Sequence, residues 1–192
     1  MQKEIIPYRQ NGMTCSIACL LMILEYYGKI NRPNKFFEYK YYEMYQSKYT
    51  EGTPLSAIAW HLVKNNINTE IIHSENEIFT NRNKLFSDKL YKMLLEEYRY
   101  YLTISEKKGL VIKNGENINS NYLKEQLDKE KFIILAGQVN DILHAILICD
   151  YHENEFLVCD PLYKKKKKYT MKYIDDYMDT PIGKWCVTVS KE

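Results

Sequence analysis

Residues 10–28, QNGMTCSIACLLMILEYYG, pass from a polar loop into an apolar run, with Cys15 at the junction. Gly12 breaks the extended segment KEIIPYR (3–9), and Thr14 or Ser16 is placed to cap a helix starting there. From Cys15 to Tyr27 the residues are good helix formers, apolar on almost every side, so the predicted helix is buried on most faces. Gly28 ends it. A cysteine at a helix start meets the positive end of the helix dipole and unpaired N–H groups, and both favour the nucleophilic thiolate. Taken alone, the helix favours a plainer role for Cys15, that of a small buried hydrophobe. The deciding residues lie elsewhere in the chain.

Working outward, TPLSAIAWHLVKNN (53–66) carries Thr53 as N-cap and Pro54 at the first helical position. INTEIIHS (67–74) reads as a strand. NKLFSDKLYKMLLEEYRYYLTISEKKG (83–109) repeats Leu85, Phe86, Leu90, Met93, Leu94 and Tyr98 at helical spacing. The tyrosine-dense stretch 31–52 has only weak periodicity. After a short helix in 119–131, the apolar strand FIILAGQ (132–138) precedes ILHAILICDY (142–151) and EFLVCDPLY (155–163), with a hairpin turn at 152–155. A short helix (171–179) and a last strand, KWCVTVS (184–190), close the chain. Helices first and antiparallel strands second predict an α+β fold. Neither an internal repeat nor a linker divides residues 1–192, which read as one domain.

His144 interrupts an apolar strand, where an imidazole must find a partner or bear the cost of desolvation. Asp160 closes the next strand. An antiparallel pairing with a short turn sets the two side by side, and a carboxylate there orients the ring and favours its charged form. Each residue alone has an ordinary explanation, a core histidine and a turn residue before Pro161. Together with a helix-start cysteine they make the nucleophile, base and orienting acid of thiol acyl transfer. Gln10, in the loop before Cys15, supplies a side-chain amide for the oxyanion beside the Cys15 N–H.

The remaining composition narrows the class. The net charge of +2 gives no reason to invoke nucleic acid. No signal-like segment opens the chain, and its longest early apolar run is too short to span a bilayer, so a cytoplasmic location is expected. Five cysteines without a CxxC pair suit free thiols in a reducing compartment. Cys15 and Cys19 share one apolar helix, and His61, His73 and His152 have no evident partner, so no metal site is expected.

The Gln10–Cys15 loop opening a helix that ends in YYG, the strand histidine and the strand-end DP resemble the papain-like fold. The branch is that of the double-glycine leader peptidases, which process bacteriocins. The resemblance covers residues 5–28 and 119–189. It implies a nucleophile helix packed on a C-terminal antiparallel sheet, with 29–118 as an enlarged helical region. Thr14 and Ser16 stand where that branch usually has Asp and Gly, and the interval from Gln10 to Cys15 is shorter than usual. Around the nucleophile, CSIACLLMILEYYG is also similar to the butirosin-biosynthesis acyltransferase family, which passes an acyl group from a carrier-protein thioester to an amine.

What the resemblance implies is an acyl-cysteine enzyme, with Cys15 as nucleophile, His144 as base, Asp160 as its orienter and Gln10 at the oxyanion. The favoured function is amide formation between an acyl or peptidyl group, presented on a carrier protein, and an amine. The alternatives are a soluble cysteine peptidase acting on a peptide or leader, and a non-catalytic peptide-binding module. The resemblance implies no resident metal or cofactor; a phosphopantetheine arm would belong to the donor. Lysines 164–168 offer a dock for an acidic carrier, against a plainer role as a solvated sheet edge. Residues 36–49 offer a lid, against a plainer role in packing.

Overall fold

The structure is a computed structural model and describes residues 4–75, 80 and 84–191. Lys3 and Asn83, which begin two of the sequence segments, lie outside the described residues. Among these residues the order is α1 (Cys15–Tyr26), α2 (Lys35–Tyr45), α3 (Leu55–Lys64), β1 (Thr69–His73), α4 (Asp88–Glu106), β2 (Val111–Lys113), α5 (Ser120–Asp128), β3 (Lys131–Val139), β4 (Ile142–His152), β5 (Glu155–Cys159), β6 (Lys167–Thr170), α6 (Met171–Met178) and β7 (Trp185–Ser190). The fold is α+β.

The strands form one sheet in the order β2-β1-β7-β3-β4-β5-β6. Every pairing is antiparallel except β1 with β2. The last strand, β7, is therefore inserted between β1 and β3, and β1 and β2 carry the sheet into the region expected to be helical. Side chains alternate along the strands. Ile134, Ala136, Ala145, Leu147 and Val187 join α1, α3 and α4 in one core. Ile133, Leu135, Ile146, Ile148 and Cys186 meet α5 and α6 in a second. A two-sided sheet needs near-continuous apolar strands, and β3 and β4 have them. The β3–β4 and β4–β5 turns are tight, with φ of 48° and 62° at Asn140 and Asp141 and 50° and 66° at Glu153 and Asn154. These are the left-handed turns that suit twisted hairpins.

In α1 every residue from Ser16 to Leu24 is buried. Gly28 ends the helix with φ 68°, and the Lys29 N–H returns to the Leu24 carbonyl at 2.8 Å. Several local readings shift. The segment at 4–10 belongs to no strand. Neither Thr14 nor Ser16 caps α1 through its side chain: Thr14 holds the cap position without that bond. Pro54 rather than Thr53 precedes α3, its carbonyl accepting from the Ala57 N–H at 3.0 Å. Leu85 and Phe86 lie before α4, which starts after Ser87, whose hydroxyl accepts from the Leu90 N–H. The tyrosine-dense stretch contains α2, capped by Asn34.

Candidate active site

Cys15 is the first residue of α1, where the opening N–H groups have no intrahelical acceptor. The helix lies against β4, and Cys19, one turn further in, points its buried thiol at the Ala145 carbonyl at 3.7 Å. The helix start is thereby fixed beside His144. His144 pairs with Gly137 across the β3–β4 hairpin. On the other side of β4, Leu147 pairs with Cys159. One step beyond that register, Asp160 lies near Ile146, and His144 is its diagonal neighbour on the same face. His144 Nε2 meets Asp160 Oδ1 at 2.9 Å, both side chains buried. That leaves Nδ1 as the ring nitrogen available toward Cys15, which lines the same cavity.

The electrostatics follow this chain of contacts. Burial pushes the Cys15 thiol up, but the hydrogen bond and charge of His144, with smaller help from the Ala145 backbone and Ser16, bring it below its usual value. Burial disfavours the His144 imidazolium, yet the bonds to Asp160 and Cys15 raise its pKa to about 9. Asp160 is desolvated too, but His144, the Leu162 N–H and Tyr169 hold its pKa below the usual range. Both shifts move the pair toward thiolate beside imidazolium.

Residues not singled out in the sequence complete the surroundings. Leu162 N–H donates to Asp160 Oδ1 at 2.9 Å, and the Tyr169 hydroxyl donates to Oδ2 at 2.8 Å. Tyr177 of α6 donates to the His144 carbonyl at 2.9 Å, its ring lying over Gly137, where a Cβ would come within 2.0 Å. Glu38 of α2 is fully buried beneath the loop before Cys15. Its carboxylate accepts from Tyr8 (2.7 Å), the Asn11 backbone (2.6 Å), the Asn11 side chain (2.7 Å) and the Thr14 hydroxyl. Thr14 thus serves Glu38 rather than the helix. No motif marks Glu38, and in sequence it looks like one more solvated charge.

Gln10 is placed differently from the other three expected residues. Its side-chain N–H donates to the Gly12 carbonyl at 2.5 Å, turning the amide back into its own loop. Its backbone N–H donates to the Pro161 carbonyl at 2.9 Å, tying the loop before Cys15 to the segment after Asp160. Beside Cys15 and His144 lies an open cavity between α3, α4 and the sheet, bordered by the loop at 47–54. The end of the 36–49 segment thus reaches the cavity, while α2 turns Phe36, Tyr39 and Met44 to solvent.

The other chemical candidates are occupied elsewhere. His61 bonds Tyr45 (2.8 Å), His73 bonds Asn114 (3.0 Å) and His152 bonds Asp150 (2.9 Å), so each has a partner that the sequence did not disclose. Among the described residues no group of His, Cys, Asp or Glu is arranged to hold a metal ion. No helix among them is long and apolar enough to cross a membrane. Within the lysine run, Lys167 and Lys168 begin the edge strand β6. Lys166 pairs with Glu4 (3.0 Å), and Lys168 with Glu155 (3.4 Å).

A sequence model of the Peptidase_C39 like family matches residues 2–186, continuous through the middle region where local motifs are weakest. The peptidase domain of Streptococcus ComA, described as a bifunctional ABC transporter of a quorum-sensing pathway, superposes with a TM-score of 0.53 at 12% identity. The superposition covers 98% of this chain and 100% of that one, a likeness of fold. A protein described as a C39-like peptidase from Bacillus anthracis gives a TM-score of 0.44 at 11% identity, over 97% of this chain and 95% of that one. A search of the curated proteins gives no match. The chain belongs to the Peptidase_C39 like family.

Proposed function

We propose that this chain catalyses acyl transfer through an acyl-Cys15 thioester, passing a peptidyl or acyl group to an amine. The observation that carries the reading is the placement of Cys15, at the start of α1, on the same cavity wall as His144, with His144 bonded to Asp160. The Cys15 thiolate attacks the donor carbonyl carbon, and the Cys15 N–H stabilises the oxyanion. As the carbonyl reforms, the bond to the leaving group breaks. His144 gives that group the proton from Nδ1, while Asp160 holds the opposite edge of the ring. An amine then attacks the thioester, His144 takes a proton from it, and the C–S bond breaks. The amide departs and the thiolate–imidazolium pair is restored.

Gln10 contributes here by fixing the loop through Gly12 and Pro161. The choice of an amine rests on Thr14 and Ser16 beside the nucleophile, where the sequence resembles the acyltransferase family. Hydrolysis of the same thioester is the second reading, favoured by membership of a peptidase-like family and by the ComA-like fold. The two separate in one experiment. The acyl-enzyme is formed with a peptidyl thioester, then chased with and without a panel of primary amines. Amide product that grows with amine concentration at the expense of free acid supports transfer. Free acid alone at every amine concentration supports the second reading, in which water resolves the thioester.

A further inference from the structure

Four of the five cysteines are buried, and two of those touch: the Cys149 thiol donates to the Cys159 sulfur, with the Sγ atoms 3.6 Å apart. Register alone would not bring them together. Cys159 pairs with Leu147, and the β4–β5 ladder shifts between Ile148 and Asp150, so Cys149 is the extra residue of a β-bulge. A bulge re-aims a side chain, and this one turns Cys149 toward Cys159 within the core shared with α1. Cys19 lies in the same core but turns its thiol to the Ala145 carbonyl, and Cys186 lies in the core on the other face of the sheet. Asp160, whose Oδ1 holds His144 at 2.9 Å, directly follows Cys159.

We infer that Cys149 and Cys159 are a dithiol that a peroxide converts to a disulfide, tying the β4 bulge to the end of β5 and drawing Asp160 off His144. Cys149 retains 6% exposure and Cys159 none, so a small oxidant meets Cys149 first. The Cys149 sulfur attacks one peroxide oxygen, the O–O bond breaks, and a sulfenic acid forms as water leaves with the thiol proton. The Cys159 sulfur attacks that sulfur. The S–S bond forms, the S–O bond breaks, and the second oxygen leaves as water with the Cys159 proton. The pair gives up two electrons, and one peroxide becomes two waters. The hydrogen bond to Cys159 and burial push the Cys149 thiol well above its ordinary value, with the Lys166 charge working against them, so the reaction is slow at neutral pH. The bond itself does not depend on the acyl-transfer reading.

The test uses the whole protein carrying Cys15→Ala, so that the nucleophile does not consume the oxidant. Folded, reduced protein is treated with hydrogen peroxide, quenched with catalase, alkylated with N-ethylmaleimide in denaturant and mapped by mass spectrometry without reduction. One Cys149–Cys159 disulfide is expected, reversed by dithiothreitol. It is lost with Cys149→Ala or Cys159→Ala and kept with Cys19→Ala or Cys186→Ala. Ring NMR then follows the His144 titration in the reduced and oxidised forms. A lower His144 pKa in the oxidised form is expected, because the Asp160 bond supports the imidazolium. Both thiols still open to alkylation after peroxide, or a bond to another cysteine in place of this one, overturns the inference. A His144 titration unchanged by the bond overturns its link to the site. Neither result touches acyl transfer by Cys15.

Discussion

The Tyr169 hydroxyl donates a 2.8 Å hydrogen bond to Asp160 Oδ2, the carboxylate oxygen that His144 does not touch. With Leu162 N–H and His144 Nε2 on Oδ1, the carboxylate is held on both oxygens and cannot rotate without losing a partner. Tyr169→Phe removes one neutral donor, a loss of about 1 kcal/mol. We expect kcat/KM to fall about three- to tenfold with KM little changed. Steady-state kinetics check this. An unchanged kcat would show that Asp160 needs no such support.

The ring of Tyr177 occupies the space a side chain at Gly137 would need. Gly137→Ala must push that ring aside and break its bond to the His144 carbonyl. Overpacking of this kind costs about 1–3 kcal/mol. We expect a destabilisation of that order in urea melts, together with a drop in activity. Adding Tyr177→Ala to the variant relieves the clash, so the two changes combine non-additively. Strict additivity would contradict the contact.

Glu38 accepts four hydrogen bonds beneath the loop that leads to Cys15. Glu38→Gln keeps the shape but turns an amide toward groups that can only donate, Asn11 N–H among them. A destabilisation of about 2–3 kcal/mol is expected, with slower alkylation of Cys15. Gln10→Ala serves as the comparison. Because its amide is tied to Gly12, the loss of kcat is expected to stay below about tenfold, whereas removing an oxyanion donor costs roughly a hundredfold or more.

The titrations set a pH window. The thiol of Cys15 lies below its ordinary value of 9.0, so the acid limb of kcat/KM falls below that pH. His144 loses its proton near pH 9, which sets the alkaline limb of the bell. Asp160→Asn removes the charge and weakens the bond that support the imidazolium. The alkaline limb should then move down toward the ordinary histidine value of 6.5. An alkaline limb that stays in place would show that another group sets it.

Much of this architecture is legible in residues 10–28 and 132–160. A helix buried from Ser16 to Leu24, and hairpins closed by tight left-handed turns, are specified by local pattern. What escapes is non-local. The three-residue β2 pairs parallel to β1 and has no pattern of its own. In α2 the apolar surface is carried by tyrosines, whose polar tips blur the period, and only Glu38 and Tyr45 are buried. Around the candidate site, His144 and Asp160 are readable from strand spacing. Tyr169 is hidden behind a lysine run and Glu38 in a tyrosine-rich helix. Gln10 is readable from its place before Cys15, but the bond of its amide to the Gly12 carbonyl is not.

The central claim is that Cys15 carries the acyl group. Rapid acid quenching during turnover of N-acetylleucyl N-acetylcysteamine thioester, followed by intact-mass and peptide mapping, tests it directly. The account predicts one acyl adduct, mapped to Cys15, absent in Cys15→Ala and formed at least a hundredfold more slowly in His144→Ala. Turnover with no adduct on Cys15, or an adduct that persists in Cys15→Ala, would contradict it.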